Sequence, residues 1–270
     1  MPQQRRFDNV ALDVVKVTKH FEVNGRSRTV LHNISFSVQA GELTCIVGQS
    51  GCGKTTLLNI LAGFIPPSSG SLSVFGVPIR RPGPDRCVVF QEDTLFPWLT
   101  VRENIAFGLK GRRQERGHID REVDRFLSLV GLGEYGHYLP REISGGMKQR
   151  VELARVLILQ PDIILMDEPF VSLDYRTRKE MQNLLVALWR KLSQTIVFIT
   201  HDIDEALILA DTIVIMDTEP GRIHEQLSIP LERPRKLDRD DSVVYREKLH
   251  RFLCGRQDPE ETVRVFLQED

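Results

Sequence analysis

Residues 43–61 read LTCIVGQSGCGKTTLLNIL, and their reading decides the fold. The uncharged run 43–47 suits a buried strand, and from Lys54 onward leucine and isoleucine recur at helical spacing. Between them, Gly48-Gln49-Ser50-Gly51-Cys52-Gly53-Lys54-Thr55 satisfies the phosphate-loop pattern. Its glycines let successive backbone N–H groups turn inward around a triphosphate, Lys54 reaches the terminal phosphates, and Thr55 offers a hydroxyl to Mg²⁺ at a helix N-terminus. Chance supplies the four fixed positions in roughly one chain per hundred of this length. A strand before and a helix after make a ligand-free glycine turn rarer still.

Working outward, three further short apolar runs at 163–166, 196–199 and 213–216 suit fully buried parallel strands, and helical stretches follow the strands at 43, 163 and 196. Strand and helix alternate in a βαβ rhythm, which predicts an α/β fold around a parallel sheet. In such a sheet ligands sit beyond the carboxyl ends of the strands. One run ends in Asp167-Glu168, a pair in which one carboxylate can hold Mg²⁺ through water while the other polarises an attacking water. Another ends in His201, and the run 87–90 ends in Gln91, whose amide oxygen can bind Mg²⁺ or the lytic water. Taken singly, a solvated strand end, a structural histidine and a polar loop residue explain these equally well. The phosphate loop, Asp167-Glu168 and His201 each follow such a strand end, so three independent strands aim polar residues at one edge, which is a site.

The rest of the chain frames that core. Residues 10–38 alternate apolar and polar positions around Asn24-Gly25, predicting an antiparallel β layer. Between Gln91 and Tyr138 the strand signal disappears, and helical spacing over 101–109 and 119–130 predicts an inserted α-helical subdomain at 91–158. Helices are also expected from Ser144, stopping before Pro161, and from Asp202, with Glu205 at capping-box spacing. The ATP-type core is then 10–90 with 159–220, and a proline- and charge-rich extension, 221–270, closes in one or two peripheral helices. A formal net charge of −1 gives no global field for nucleic acid or an anionic membrane. Cys45, Cys52, Cys87 and Cys254 lack metal or redox spacing and are expected as free thiols. The basic residues near Met1 precede no apolar stretch, and no run approaches a spanning helix, so a soluble protein is expected.

One feature is left over. Ser144-Gly145-Gly146 opens a second helix with a hydroxyl and two glycines, a phosphate-site construction about ninety residues after the first. The phosphate loop, Ile143-Ser144-Gly145-Gly146-Met147-Lys148-Gln149-Arg150 and the acidic pair together resemble the nucleotide-binding subunit of an ATP-binding cassette (ABC) transporter over about residues 10–220. The resemblance makes Ser144, Gly145 and Gly146 the signature, Gln91 the Q-loop, Ser172-Leu173-Asp174 the D-loop and His201 the switch histidine. It sets Phe21 on adenine, Thr56 beside Thr55 at the nucleotide, and Thr55, Gln91 and Asp167 at Mg²⁺, with Glu168 as base. Ile143 and Met147 depart from the commonest signature, which has Leu and Gln there; the serine and glycines are kept.

By the same resemblance two copies pair head to tail, each ATP lying between one copy's phosphate loop and the other's Ser144 helix. The pair works on permease subunits, at the cytoplasmic face of the inner membrane, and indirectly with a solute-binding protein. Residues 91–105, QEDTLFPWLTVRENI, are similar to importers of nitrate, sulfonate and taurine, as is Leu231-Glu232-Arg233-Pro234-Arg235. Phe96, Pro97 and Trp98 suit a permease groove or subdomain core. Thiamine-precursor importers remain an alternative. ABC ATPases of translation or DNA maintenance usually carry two cassettes or long coiled coils, absent here, and a small-substrate P-loop kinase leaves Ser144–Gly146 unexplained.

Overall fold

The structure, a computed structural model, describes residues 9–111 and 115–254. The basic N-terminus and residues 255–270 lie outside them. The chain opens with β1 (Val10–Val23) and β2 (Arg26–Gln39), an antiparallel pair turning at Asn24-Gly25, where both residues have positive φ (52° and 73°). β3 (Leu43–Gly48) leads through the glycine loop into α1 (Lys54–Ala62). β4 (Ser69–Val74) and β5 (Val77–Pro78) then complete a four-stranded antiparallel sheet in the order β2-β1-β4-β5.

After β6 (Arg86–Val89) come three helices, α2 (Val101–Lys110), α3 (Arg116–Leu129) and α4 (Gly145–Leu157), before the chain returns to β7 (Ile163–Asp167). It continues through α5 (Tyr175–Leu192), β8 (Thr195–Thr200), α6 (Ile203–Leu209), β9 (Thr212–Asp217), β10 (Arg222–Ser228) and α7 (Asp240–Cys254). The main sheet runs β10-β9-β3-β8-β7-β6, with five parallel strands and β10 antiparallel at one edge.

The alternation of side chains along the parallel strands divides the core in two. Cys45, Val47, Ile164, Met166, Ile196 and Phe198 face the layer that includes α4 and α5. Ile46, Leu165, Val197 and Ile199 face α1 and the antiparallel sheet. Burial on both faces explains why these strands read as unbroken apolar runs.

Two local expectations change. Asp202 caps α6 by accepting from the backbone N–H groups of Asp204 (2.8 Å) and Glu205 (3.1 Å), but no reciprocal box forms. The Glu205 carboxylate is drawn inward, where Gln182 Nε2 donates to it at 3.1 Å. A full capping box stands instead at α2, where Thr100 N donates to Glu103 Oε2 (2.9 Å) and Glu103 N to Thr100 Oγ1 (3.2 Å). The region after residue 220, which carries no strand signal beyond alternation in Arg222–Ser228, supplies β10 and a single described helix, α7.

Candidate active site

The phosphate loop is shaped by contacts that only glycine permits. Gly53 has φ +97° and would place a Cβ 2.7 Å from Leu31 Cδ2, so the β2 strand lies directly against the helix start. Gly53 is also the N-cap of α1 and brings no side chain to bond the first-turn N–H groups, which are thereby left for a ligand. Lys54 is 6% exposed, and its Nζ donates to Gly48 O (2.7 Å) and Gln49 O (3.0 Å). Ser50, Gly51 and Thr55 are exposed, with Thr56 half-buried behind them. Cys52 is buried, which pushes its thiol up ahead of the opposing effect of Lys54, so it is packing rather than a reactive group.

Beside the loop stand the ends of β7 and β8, held in register with Asp167 opposite Ile199. Asp167 is buried, which raises its carboxyl first, against the lowering influence of the nearby Thr55 hydroxyl. Glu168 adopts φ +45°, a left-handed conformation that costs a non-glycine residue roughly 1–3 kcal/mol and is kept where function requires it. Its N–H donates to Ile199 O (3.0 Å), one carboxylate oxygen lies 2.8 Å from His201 Nδ1, and the other lies 4.0 Å from Lys54 Nζ. Lys54, Thr55, Asp167, Glu168 and His201 thus form one cluster. Gln91 is exposed, two residues beyond Val89, which pairs with Met166; Glu168 is two residues beyond Met166 on the adjacent strand. Phe21 is 37% exposed on β1 opposite Arg28, and Arg28 lines one hollow with Gly51.

A second cluster lies elsewhere. Ser144 is the N-cap of α4, its Oγ accepting from Met147 N at 3.3 Å. Ser144, Gly145 and Gly146 line a hollow with Ser172, Leu173 and Asp174, and none of Lys54, Asp167, Glu168 or His201 borders it. A Cβ on Gly146 would sit 2.6 Å from Thr177 Cγ2, which is why this position is glycine. Asp174 accepts from Arg176 N (3.0 Å), Thr177 N (3.0 Å) and Thr177 Oγ1 (2.6 Å), bonds that hold its carboxyl below the usual range, the Thr177 hydroxyl foremost. Its Oδ1 caps α5, and its Oδ2 takes the Thr177 hydroxyl.

Sequence reasoning overlooked the link between these clusters. Glu152, buried on α4, accepts from Thr94 N (2.6 Å) and Thr94 Oγ1 (2.9 Å), and Arg155 Nη1 donates to Thr94 O (2.8 Å). Lys148 joins Asp93 at 2.9 Å. The segment just after Gln91 is therefore bolted to the helix that carries Ser144. The available signal was a glutamate between Val151 and Leu153 on an apolar helix face, one turn before Arg155. The same segment displays Phe96 against Trp98 (5.6 Å between rings) and Phe107 (4.3 Å), with Trp98 72% exposed.

Residues 31–171 match the family model described as ABC transporter. The chain is 45% identical over 227 residues to the nitrate import ATP-binding protein NrtD of Synechococcus elongatus, covering 80% of this chain and 83% of that one. It is 45% identical over 206 residues to the taurine import ATP-binding protein TauB of Pelagibacter ubique (76% and 78% covered). Over 239 residues it is 42% identical to the bicarbonate transport ATP-binding protein CmpD of a Synechocystis strain (87% and 85%). Among solved structures it is similar to the dimeric post-hydrolysis state of the ATP-binding cassette MJ0796 bound to ADP and Pi, with TM-score 0.71 and 27% identity over 82% of this chain and all of that one. The cbiO1 subunit of the Clostridium perfringens cbiONQ complex superposes with TM-score 0.76 and 26% identity over 92% of this chain and 98% of that one.

Proposed function

The chain belongs to the ABC transporter ATP-binding family, and from that premise we propose that it hydrolyses ATP to drive uptake of a small oxyanion through a separate permease. Its similarity to subunits named for nitrate, taurine and bicarbonate import supports that solute class. No described helix is long and apolar enough to cross a membrane. Similarity to importer ATP-binding subunits supports a chain peripheral on the cytoplasmic side of permease subunits fed by a solute-binding protein. The exposed Trp98 and Phe107 rings, packed on the half-buried Phe96, suit the permease contact.

In this reading the loop from Gly48 to Thr56 receives the triphosphate on its backbone N–H groups, Lys54 balances charge on the terminal phosphates, and Phe21 stacks on adenine. Thr55, Asp167 and Gln91 offer only oxygen, the donor set that suits Mg²⁺ together with nucleotide phosphates, and the Thr55 hydroxyl stands near enough to the Asp167 carboxyl to influence it. Mg²⁺ bound there offsets charge on the phosphates. Glu168 takes a proton from the attacking water, while His201, 2.8 Å from that carboxylate, orients it and the γ-phosphate.

The observation that carries the reading is the separation within one protomer of two phosphate-binding constructions. The Ser144–Gly146 hollow shares no lining residue with the Lys54 cluster, so its phosphate belongs to a second copy's nucleotide. Asp174 joins the nucleotide site at that surface, its carboxylate held in place by Arg176 N and Thr177.

Mixing two inactive variants tests the shared site. Lys54→Ala and Ser144→Arg should each abolish hydrolysis, because each homodimer has both composite sites damaged. Mixed, they should recover about a quarter of the wild-type rate if chains pair at random. Recovery of nothing, with both variants folded, refutes the shared site.

A further inference from the structure

The stretch Leu231-Glu232-Arg233-Pro234-Arg235 takes hold of the helix that follows His201. α6 is only seven residues long, so its internal hydrogen bonds are few and its ends need partners from outside. At its C-terminal end Arg235 Nη1 donates to Leu207 O (2.8 Å) and to Ala210 O, and Arg233 Nη2 donates to Leu209 O. Cations suit that end of a helix, where the carbonyls carry the negative side of its dipole. Both guanidiniums are anchored in turn. Arg235 Nε and Nη2 donate to Leu231 O (3.0 Å) and Ile229 O (2.9 Å), while Arg233 Nη1 donates to Asp211 Oδ1 (2.6 Å) and its guanidinium lies over Trp189, 4.6 Å from the ring centre. At the first turn of α6, Arg246 of α7 holds Asp204 by both arms, Nε donating to Oδ1 at 2.6 Å and Nη2 to Oδ2.

What these arginines hold in place is the seat of His201. The histidine stands between Thr200, the last residue of β8, and Asp202, the cap of α6. Asp202 N donates to Thr200 Oγ1 at 3.0 Å, and Asp202 Oδ1 takes the first backbone N–H groups of the helix. A tilt of α6 therefore passes through one residue to the imidazole, which meets Glu168 at 2.8 Å. His201 is itself exposed, so little packing of its own fixes the ring. We propose that Arg233, Arg235 and Arg246 are positioning residues for hydrolysis: the segment after β10 pins α6 at both ends and so keeps His201 on Glu168. Their effect rests on the reading of His201 and Glu168 as the hydrolytic groups.

The test uses the full chain. Arg246→Ala frees the first turn of α6, and Arg235→Lys keeps a charge at the last turn but loses the planar fork that spans two carbonyls. Each should lower kcat about threefold to thirtyfold while Mg-ATP affinity changes by less than about twofold, short of the roughly 10²-fold that a misplacement of about 1 Å costs. Backbone hydrogen exchange should quicken in residues 201–209 and stay as in wild type at 48–56. Added to His201→Ala and followed by single-turnover hydrolysis, Arg246→Ala should cost less than about twofold more, because the group it serves is gone. An unchanged kcat, a loss of ATP affinity that accounts for the fall, unaltered exchange in 201–209, or full multiplication of the two losses in the double variant overturns the clamp. A His201→Ala chain that hydrolyses ATP at the wild-type rate is a different result: it removes the histidine from the reaction, and with it the reason for the clamp.

Discussion

Glu152→Ala tests the bolt between the Gln91 segment and the signature helix. The substitution removes an acceptor bonded twice by Thr94, at 2.6 and 2.9 Å, and strips Arg155 of a nearby opposite charge. Each lost bond is worth about 1 kcal/mol, the stranded Thr94 N–H costs another 1–3 kcal/mol, and relief of the carboxylate's own desolvation offsets part, leaving roughly 2–4 kcal/mol. At this chain length that lowers Tm by about 4–12 °C, and urea unfolding reads the same loss directly. Glu152→Gln keeps the accepting oxygen and should cost less than half as much.

Both variants also differ from wild type in their response to pH. Burial, ahead of the Thr94 bonds that oppose it, pushes the Glu152 carboxyl above its ordinary value of 4.5, and its second oxygen has no hydrogen-bond partner among the described residues. The folded chain therefore keeps a proton that the unfolded chain has already lost. Stability contributed by this group falls as pH rises from about 4.5 through the folded value and is level above it. Neither the alanine nor the glutamine variant should show that slope. A loss under about 1 kcal/mol in Glu152→Ala, with the wild-type pH slope intact, refutes the reasoning. Because Thr94 is three residues from Gln91, hydrolysis should fall in Glu152→Ala by more than the change in folded fraction accounts for.

Three further outcomes can be checked together. Glu168→Gln should retain ATP binding, lose about 10²–10⁴ in turnover and accumulate a dimer by light scattering; ordinary turnover removes Glu168 as base. Gly146→Ala should cost about 1–3 kcal/mol through its 2.6 Å approach to Thr177 Cγ2, and Thr177→Ser in the same chain, which deletes only that methyl, should restore most of it. Trp98→Ala should leave ATP hydrolysis by the isolated chain unchanged and abolish its stimulation by permease, read in membranes reconstituted with both; stimulation at the wild-type level would place the docking surface elsewhere.

Much of the site was legible because its parts sit at strand ends, where an apolar run stops and a polar residue begins. Gly48, Asp167 and His201 could each be placed from that boundary, and the parallel sheet then brought them to one edge. The left-handed turn at Glu168 was hidden, since glutamate gives no sign of positive φ. So was Glu152: a buried carboxylate is recognisable only through its partner, and Thr94 is 58 residues away. β10 was obscured by its position at the sheet edge, where burial alternates weakly along Arg222–Ser228 and charge replaces the apolar run. The capping sequence at Asp202 misled for the reverse reason, as Glu205 found a buried partner in Gln182 and gave up the local bond.

The two phosphate-binding constructions differ in a way that bears on how they work. At the first, Gly53 supplies no side chain, so the α1 amides are satisfied only by what binds, and Lys54 rests on loop carbonyls from which a phosphate can draw it. At the second, Ser144 already caps its own helix through Met147 N, and Gly146 is packed against Thr177. The first is a ligand seat whose backbone needs completing; the second is a finished surface that can be brought to a phosphate held elsewhere. On the proposed shared site, a protomer with one of each would bind nucleotide alone and borrow the surface to enclose it, and hydrolysis, which needs water excluded from around Glu168 and His201, would be a property of the pair.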